Sequence, residues 1–166
     1  AAIAVAKAGL ETVHLSPKGP PDRRTSALML PSVEYLETSG LVADPASIGH
    51  PLTQIRIIDA TKRLIRAPET LFDSREAGLS AFGWNFPNVK LLESFEAARA
   101  GLTNLTTLEL AVTGIERVTD GWRVELSDGS SLTAPLLVGS DGKKSLVRVS
   151  AGFRARENGF TEAALV

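Results

Sequence analysis

The 166-residue chain is 43% hydrophobic and 22% charged, close to the globular average, which argues against wholesale disorder. Its formal net charge of −1 provides no broad basic field, so a nucleic-acid partner is not expected. With no cysteine there is no disulfide, thiolate nucleophile or Cys-ligated metal, and His14 and His50 are too few and too far apart for a His-based metal site. A cytoplasmic location is compatible with that composition, and no apolar run approaches the roughly 18 residues of a membrane span.

The opening AAIAVAKAGL reads as a small-residue helix over residues 1–8 ended by Gly9, without the basic region or cleavage site of a signal peptide. Residues 11–15 (ETVHL) come next as a short strand stopped by Ser16-Pro17. Helix, glycine and strand together form the second half of a βαβ unit. Residues 18–24 (KGPPDRR) are a loop with a basic end. Thr25 or Ser26 is expected to cap a helix running to about Ser39 and closed by Gly40, with Pro31 either breaking it or marking a second start.

Residues 54–59 (QIRIID) alternate, and a turn at 60–62 leads to residues 63–66, which predicts a β-hairpin; a third strand is expected over 79–84. Helical spacing recurs from Asn88 to Ala100, with Gly101 ending the helix, and residues 106–111 form a further strand candidate. Segments 112–118, 122–126 and 131–133 are separated by Asp120-Gly121 and Asp128-Gly129, strong hairpin signals, and predict a three-stranded meander. Pro135 leads into Leu136–Val138, an apolar run suited to a parallel strand buried on both faces. The fold class is therefore α/β. Strands 11–15 and 136–138 belong to a nucleotide-binding sheet, the meander is inserted before the second of them, and residues 52–84 make a separate antiparallel patch.

Three stretches carry candidate chemistry. In VGSDGKKSLVR (138–148), a strand ends on Gly139 where open α/β sheets bind ligands, and Gly139 and Gly142 let the backbone come close to one. The Asp141 carboxylate suits ribose or ribityl hydroxyls, and Arg148 suits a carboxylate or pyrophosphate. The plain alternative is an Asp-Gly turn with a solvated Arg, Ser145 capping the next turn. In DRRTSAL (22–28), Arg24 is placed to meet phosphate or flavin edge groups, against the alternative of a solvated basic loop. In FGWNFPN (82–88), Trp84 and Phe86 alternate as in a strand, and Asn88 is either a helix cap or a cofactor contact.

GSDGKKSLVR resembles the GADGxxSxVR motif of the class A flavoprotein monooxygenases, and DRRTSAL resembles their DxRxxAL stretch. IRIID (55–59) with AFGWNFPN (81–88) is similar to the branch that hydroxylates polyprenylated phenols in ubiquinone biosynthesis. The order and spacing of these stretches fit across nearly the whole chain. The resemblance implies a partial Rossmann-like FAD-binding domain over 1–51 and 86–150, with the start of an antiparallel substrate-binding domain over 52–85 and from 151 through a strand near Phe160.

It also implies a reaction: NAD(P)H reduces the flavin, O₂ adds to it, and the distal oxygen of the flavin hydroperoxide attacks an electron-rich phenol ring. Cofactor contacts would fall on Arg24, Asn88, Gly139, Asp141, Gly142 and Arg148, and on Ser16, which stands where the family often has an acidic ribose ligand. No catalytic side chain and no metal is implied. A polyprenyl substrate implies peripheral association with a membrane or a biosynthetic complex. The family's GxGxxG turn would lie upstream of Ala1 and its later Gly-Asp motif downstream of Val166, so these 166 residues alone are expected to bind FAD poorly and turn nothing over. Alternative readings are a halogenase or prenyl reductase of the same fold, or a non-catalytic scaffold with a degenerate flavin fold.

Overall fold

A computed structural model describes residues 1–159. The strand expected near Phe160 lies outside the described residues. In chain order the elements are α1 (Ala2–Lys7), β1 (Thr12–Leu15), β2 (Thr25–Met29), α2 (Leu30–Thr38), α3 (Pro45–Ile48), β3 (His50–Leu52), β4 (Gln54–Ile57) and β5 (Thr70–Asp73). A 3-10 turn (Ser74–Ala77) leads to β6 (Gly83–Pro87), α4 (Asn88–Arg99), β7 (Leu105–Leu108), β8 (Val112–Val118), β9 (Gly121–Leu126), β10 (Ser131–Ala134) and α5 (Leu146–Ser150). The described residues divide into two compact units, one of residues 2–12 and 19–106, the other of residue 1, residues 13–18 and residues 107–159. No helix among the described residues is long and apolar enough to cross a membrane.

In the first unit, β2, β6 and β3 form an antiparallel sheet in the order β2-β6-β3. The helix expected from residue 25 starts instead at Leu30. Residues 25–29 alternate exposed and half-buried, and each pairs with β6, Ser26 facing Phe86 and Leu28 facing Trp84. Tertiary pairing overrides the capping signal of Thr25 and Ser26. Pro31 marks the second start: it stands in the first turn of α2, where its missing N–H has no helical partner to lose. Gly40 ends the helix at φ 64°. Lys7 reaches this end, donating from Nζ to the Ser39 and Gly40 carbonyls at 2.5 and 3.2 Å, which accounts for a cation in an otherwise apolar α1.

The core of this unit is Val33, Val42, Phe86 and Leu91, with Leu28, Leu36, Ile48, Trp84 and Phe95 packed around them. Phe86 is wholly buried. The strand expected over 79–84 begins only at Gly83, where a Cβ would lie 2.1 Å from the Leu28 carbonyl oxygen. Only glycine allows β2 and β6 to approach at that point. The predicted hairpin between 54–59 and 63–66 is also corrected: β4 pairs with β5, Ile55 opposite Phe72 and Ile57 opposite Thr70, leaving residues 58–69 as a long connection. Its register is held at the base by Asp59, whose carboxylate accepts the Thr61 and Ala67 N–H groups.

In the second unit, β8, β9 and β10 form the expected antiparallel meander, in the order β10-β9-β8. Gly121 and Gly129 take the positive φ values, 147° and 84°, that their hairpins require. Val124 and Leu126 supply the buried face. The apolar run 136–138 is not a buried parallel strand: among the described residues no strand pairs with it, and Leu136 and Val138 are 68% and 56% exposed. An apolar run becomes a strand only where a neighbour offers a ladder of free backbone groups.

β1 pairs instead with β7. The Thr12 N–H donates to the Asn104 carbonyl at 2.9 Å and the Ser16 N–H to the Leu108 carbonyl at 3.1 Å. Both strands advance by four residues between these bonds (12 to 16, 104 to 108), so the pair is parallel.

Candidate functional site

Asp22 organises the first cluster. Its Oδ1 accepts from the Arg24 Nε at 2.8 Å and the Arg24 backbone N–H at 3.1 Å, and its Oδ2 accepts from the Arg24 Nη2 at 2.7 Å. The Asn88 amide, 66 residues away at the start of α4, donates to the same Oδ2 at 2.8 Å. On its other side Asn88 Oδ1 accepts from the Ser26 hydroxyl at 2.6 Å, and the Asn88 backbone N–H donates to the Arg24 carbonyl at 2.9 Å.

Asn88 does not act as a helix cap. Pro87 occupies that position without a side-chain bond, and the Asn88 side chain is spent on tying α4 to the 22–26 segment. The Arg24 fork beside Asp22, then the Asn88 amide, holds the Asp22 carboxyl well below the usual carboxylate range. The ion pair leaves little net charge, so the cluster offers geometry: the rest of the Arg24 guanidinium, with 80% of its side chain exposed, presents N–H donors in a fixed orientation.

Ser26 also borders a shallow, mainly apolar groove of about 510 Å³ lined by Leu28, Pro31, Tyr35, Leu91 and Phe95. Sequence reasoning missed the groove, together with Asp22 and Ser26 as partners of Asn88. The Asp-x-Arg spacing was the available signal for Asp22. Nothing local to Ser26 or Asn88 predicted their bond, because it spans 62 residues.

The second cluster lies in 139–148. Asp141 Oδ2 accepts the Val147 N–H at 3.1 Å, and the Ser145 hydroxyl accepts the Arg148 N–H at 3.0 Å as the N-cap of α5. Hydrogen bonding from Ser145, then from Val147, holds Asp141 below the usual carboxylate range. The Arg148 guanidinium donates to the Lys143 carbonyl at 2.8 Å. A Cβ on Gly139 would lie 2.7 Å from the Val147 Cβ, so its missing side chain lets α5 fold back on its own leading segment. Gly142, at φ 79°, has open space around the Cβ position. The plain reading of an Asp-Gly turn thus describes the bonds in this segment, although Asp141 and Gly142 remain exposed to solvent. Ser16 is half-buried and its N–H extends the β1–β7 pairing.

Each unit, taken by itself, offers one feature that fits FAD. Arg24 holds free N–H donors suited to a phosphate, and Asp141 retains acceptor capacity beside a glycine that no side chain crowds.

No protein-family model matches the sequence. The chain is similar to ubiquinone hydroxylase UbiL of Rhodospirillum rubrum, 30% identical over 174 residues that cover 99% of this chain and 39% of that protein. It therefore spans 39% of the length of the curated relative it matches. Among solved structures, p-nitrophenol 4-monooxygenase PnpA of Pseudomonas putida superposes with a TM-score of 0.72 at 22% identity, covering 91% of this chain and 40% of that one. HpxO of Klebsiella pneumoniae, complexed with FAD and uric acid, gives 0.67 at 20% identity over 94% of this chain and 39% of that one. The mixed α/β fold is that of the FAD-binding monooxygenases.

Proposed function

We infer that the chain belongs to the FAD-dependent monooxygenases, on the ubiquinone hydroxylase branch, and we propose that the protein of which it is part hydroxylates an aromatic ring. The observation that carries the reading is the Asp22–Arg24–Asn88–Ser26 network. Two stretches that carry the family resemblance separately, 22–28 and 81–88, are tied by side-chain bonds across 62 and 66 residues.

In this reading Arg24 binds a phosphate of FAD, with Asp22 fixing its fork and Asn88 fixing Asp22. Asp141 takes a ribityl or ribose hydroxyl, and Gly142 leaves room for the cofactor to approach. Gly139 and Arg148 shape the corner that holds Asp141, and Ser16 offers a hydroxyl at the end of β1. Bound FAD would supply the redox chemistry, with NAD(P)H as reductant and O₂ as the oxygen source. The protein's part is to hold the cofactor and to keep water from it. Residues 52–85 and the chain from 151 on are proposed as the start of the substrate-binding portion, a functional division separate from the two compact units. The substrate class we propose, on the resemblance of residues 55–59 and 81–88 to the ubiquinone branch, is a polyprenylated phenol.

The inward bonds of Asp141 and Arg148 favour a second reading, in which 139–148 is only a strand-to-helix corner and the protein is a scaffold on a flavin fold. A visible absorption spectrum of the protein purified from its full reading frame separates the two. The flavin bands are expected, and a preparation that stays colourless after FAD is added would overturn the hydroxylase reading in favour of the scaffold.

A further inference from the structure

The connection between β4 and β5 ends in a tip of unusual composition. Asp59 fixes its base, taking the Thr61 N–H on one oxygen at 2.9 Å and the Ala67 N–H on the other at 3.1 Å. Arg66 Nε donates to the Arg63 carbonyl at 3.3 Å, bending the chain between them. These bonds bracket Lys62, Arg63, Leu64, Ile65 and Arg66. Leu64 is fully exposed and Ile65 is 87% exposed. Three cations thus flank two bare aliphatic side chains, in a chain whose formal net charge is −1. Among the described residues no carboxylate forms an ion pair with Lys62, Arg63 or Arg66. Ile57 and Ile58, just ahead of Asp59 in the chain, are also more than half exposed.

Cations and aliphatics at one solvent-exposed tip suit the boundary of an anionic bilayer. There the long basic side chains reach headgroup phosphates while Leu and Ile enter the edge of the acyl region. An acidic protein surface would match the charges but leave Leu64 and Ile65 in water. An apolar protein groove would bury the aliphatics and strand the cations. We propose that the 62–66 tip is a membrane-surface anchor that docks on anionic lipid. Such docking requires no bound flavin and is independent of the hydroxylase reading.

The test is co-sedimentation of the protein with vesicles of phosphatidylcholine alone and of phosphatidylcholine mixed with phosphatidylglycerol. Binding to the mixed vesicles is expected, and added salt is expected to weaken it. Replacing Lys62, Arg63 and Arg66 by Gln should lower the partition coefficient about a hundredfold, at about 1 kcal/mol per cation near an anionic surface. The L64S/I65S pair should lower it as well while leaving the thermal melt unchanged, since both side chains already face water. Equal binding to both vesicle types, binding that salt does not weaken, or binding that survives both variants would each overturn the proposal. So would a dimer, seen by light scattering, that L64S/I65S dissolves while no vesicle binding occurs, since the tip would then meet a second copy.

Discussion

The segments Asp22-Arg23-Arg24 and Asp73-Ser74-Arg75 build the same fork twice. In each, the aspartate accepts from the backbone N–H, the Nε and an Nη of the arginine two residues on. In each, the arginine fork is the first cause holding the carboxyl well below its usual range. The fork is therefore a local property of Asp-x-Arg and by itself says nothing about function. The difference lies in the additional partner. Asp73 is met by Gln54, directly across the β4–β5 ladder and 19 residues away. Asp22 is met by Asn88, which also holds Ser26, so the local fork becomes part of a long-range network beside a groove. A short motif acquires a candidate role through the partners the fold brings to it.

The largest way to break that contrast is to remove its support. Phe86→Ala should cost about 3–5 kcal/mol, the usual range for a fully buried aromatic, and should loosen the Asp22 fork with it, because Phe86 faces Ser26 across the sheet. Urea unfolding followed by Trp84 fluorescence, in a Trp122→Phe background, reads the loss. Asn88→Ala comes next, at about 1–2 kcal/mol for two half-buried side-chain bonds. Its counterpart Gln54→Ala should cost less than about 1 kcal/mol, since the Gln54–Asp73 bond lies in solvent. Equal costs would remove the distinction between the forks.

Function sharpens the contrast further. In the protein from the full reading frame, Arg24→Ala should weaken flavin retention about tenfold or more, as befits loss of a charge-assisted hydrogen bond. Arg24→Lys should recover little of it, since an ammonium lacks the planar fork. Arg75→Ala should leave flavin titration unchanged. If Arg75→Ala weakens retention as much as Arg24→Ala, the first fork is not a cofactor contact.

The smallest effect is on acid stability. Both aspartates have folded-state pKa values below the ordinary 3.8. Their contribution is thus fully present above that value and is lost as pH falls through the folded-state values. Asp22→Asn and Asp73→Asn should each flatten the fall in stability at the acid end and leave the neutral-pH slope alone. Denaturant midpoints measured across that range would show it, and a slope unaltered by either change would contradict the assigned shifts.

Legibility in the sequence tracked the range of the interactions. The meander, α1 and α4 could be read because turn glycines and helical spacing are local signals. The strand at 25–29 was hidden because a Thr-Ser pair also resembles a helix cap, and only pairing with β6 decides between them. The run 136–138 reads as a buried strand, yet its ladder depends on a neighbour that no local pattern specifies. At the candidate site the individual residues Arg24, Asn88 and Asp141 were visible. The bond that joins Asn88 to Asp22 was not, while the internal capping by Asp141 and Ser145 lay within reach of their spacing.

Gly83 has a further consequence. Its α-hydrogen lies against the Leu28 carbonyl at the one β2–β6 pairing where no Cβ fits. If β6 slipped by a single residue during folding, Phe82 or Trp84 would come to that place and its Cβ would strike the carbonyl. A slip of this sheet by one residue therefore carries a steric penalty at that pairing. A Gly83→Ala chain would carry the same clash into the native pairing, so the correct register would lose its steric advantage over the slipped ones and the sheet would be destabilised.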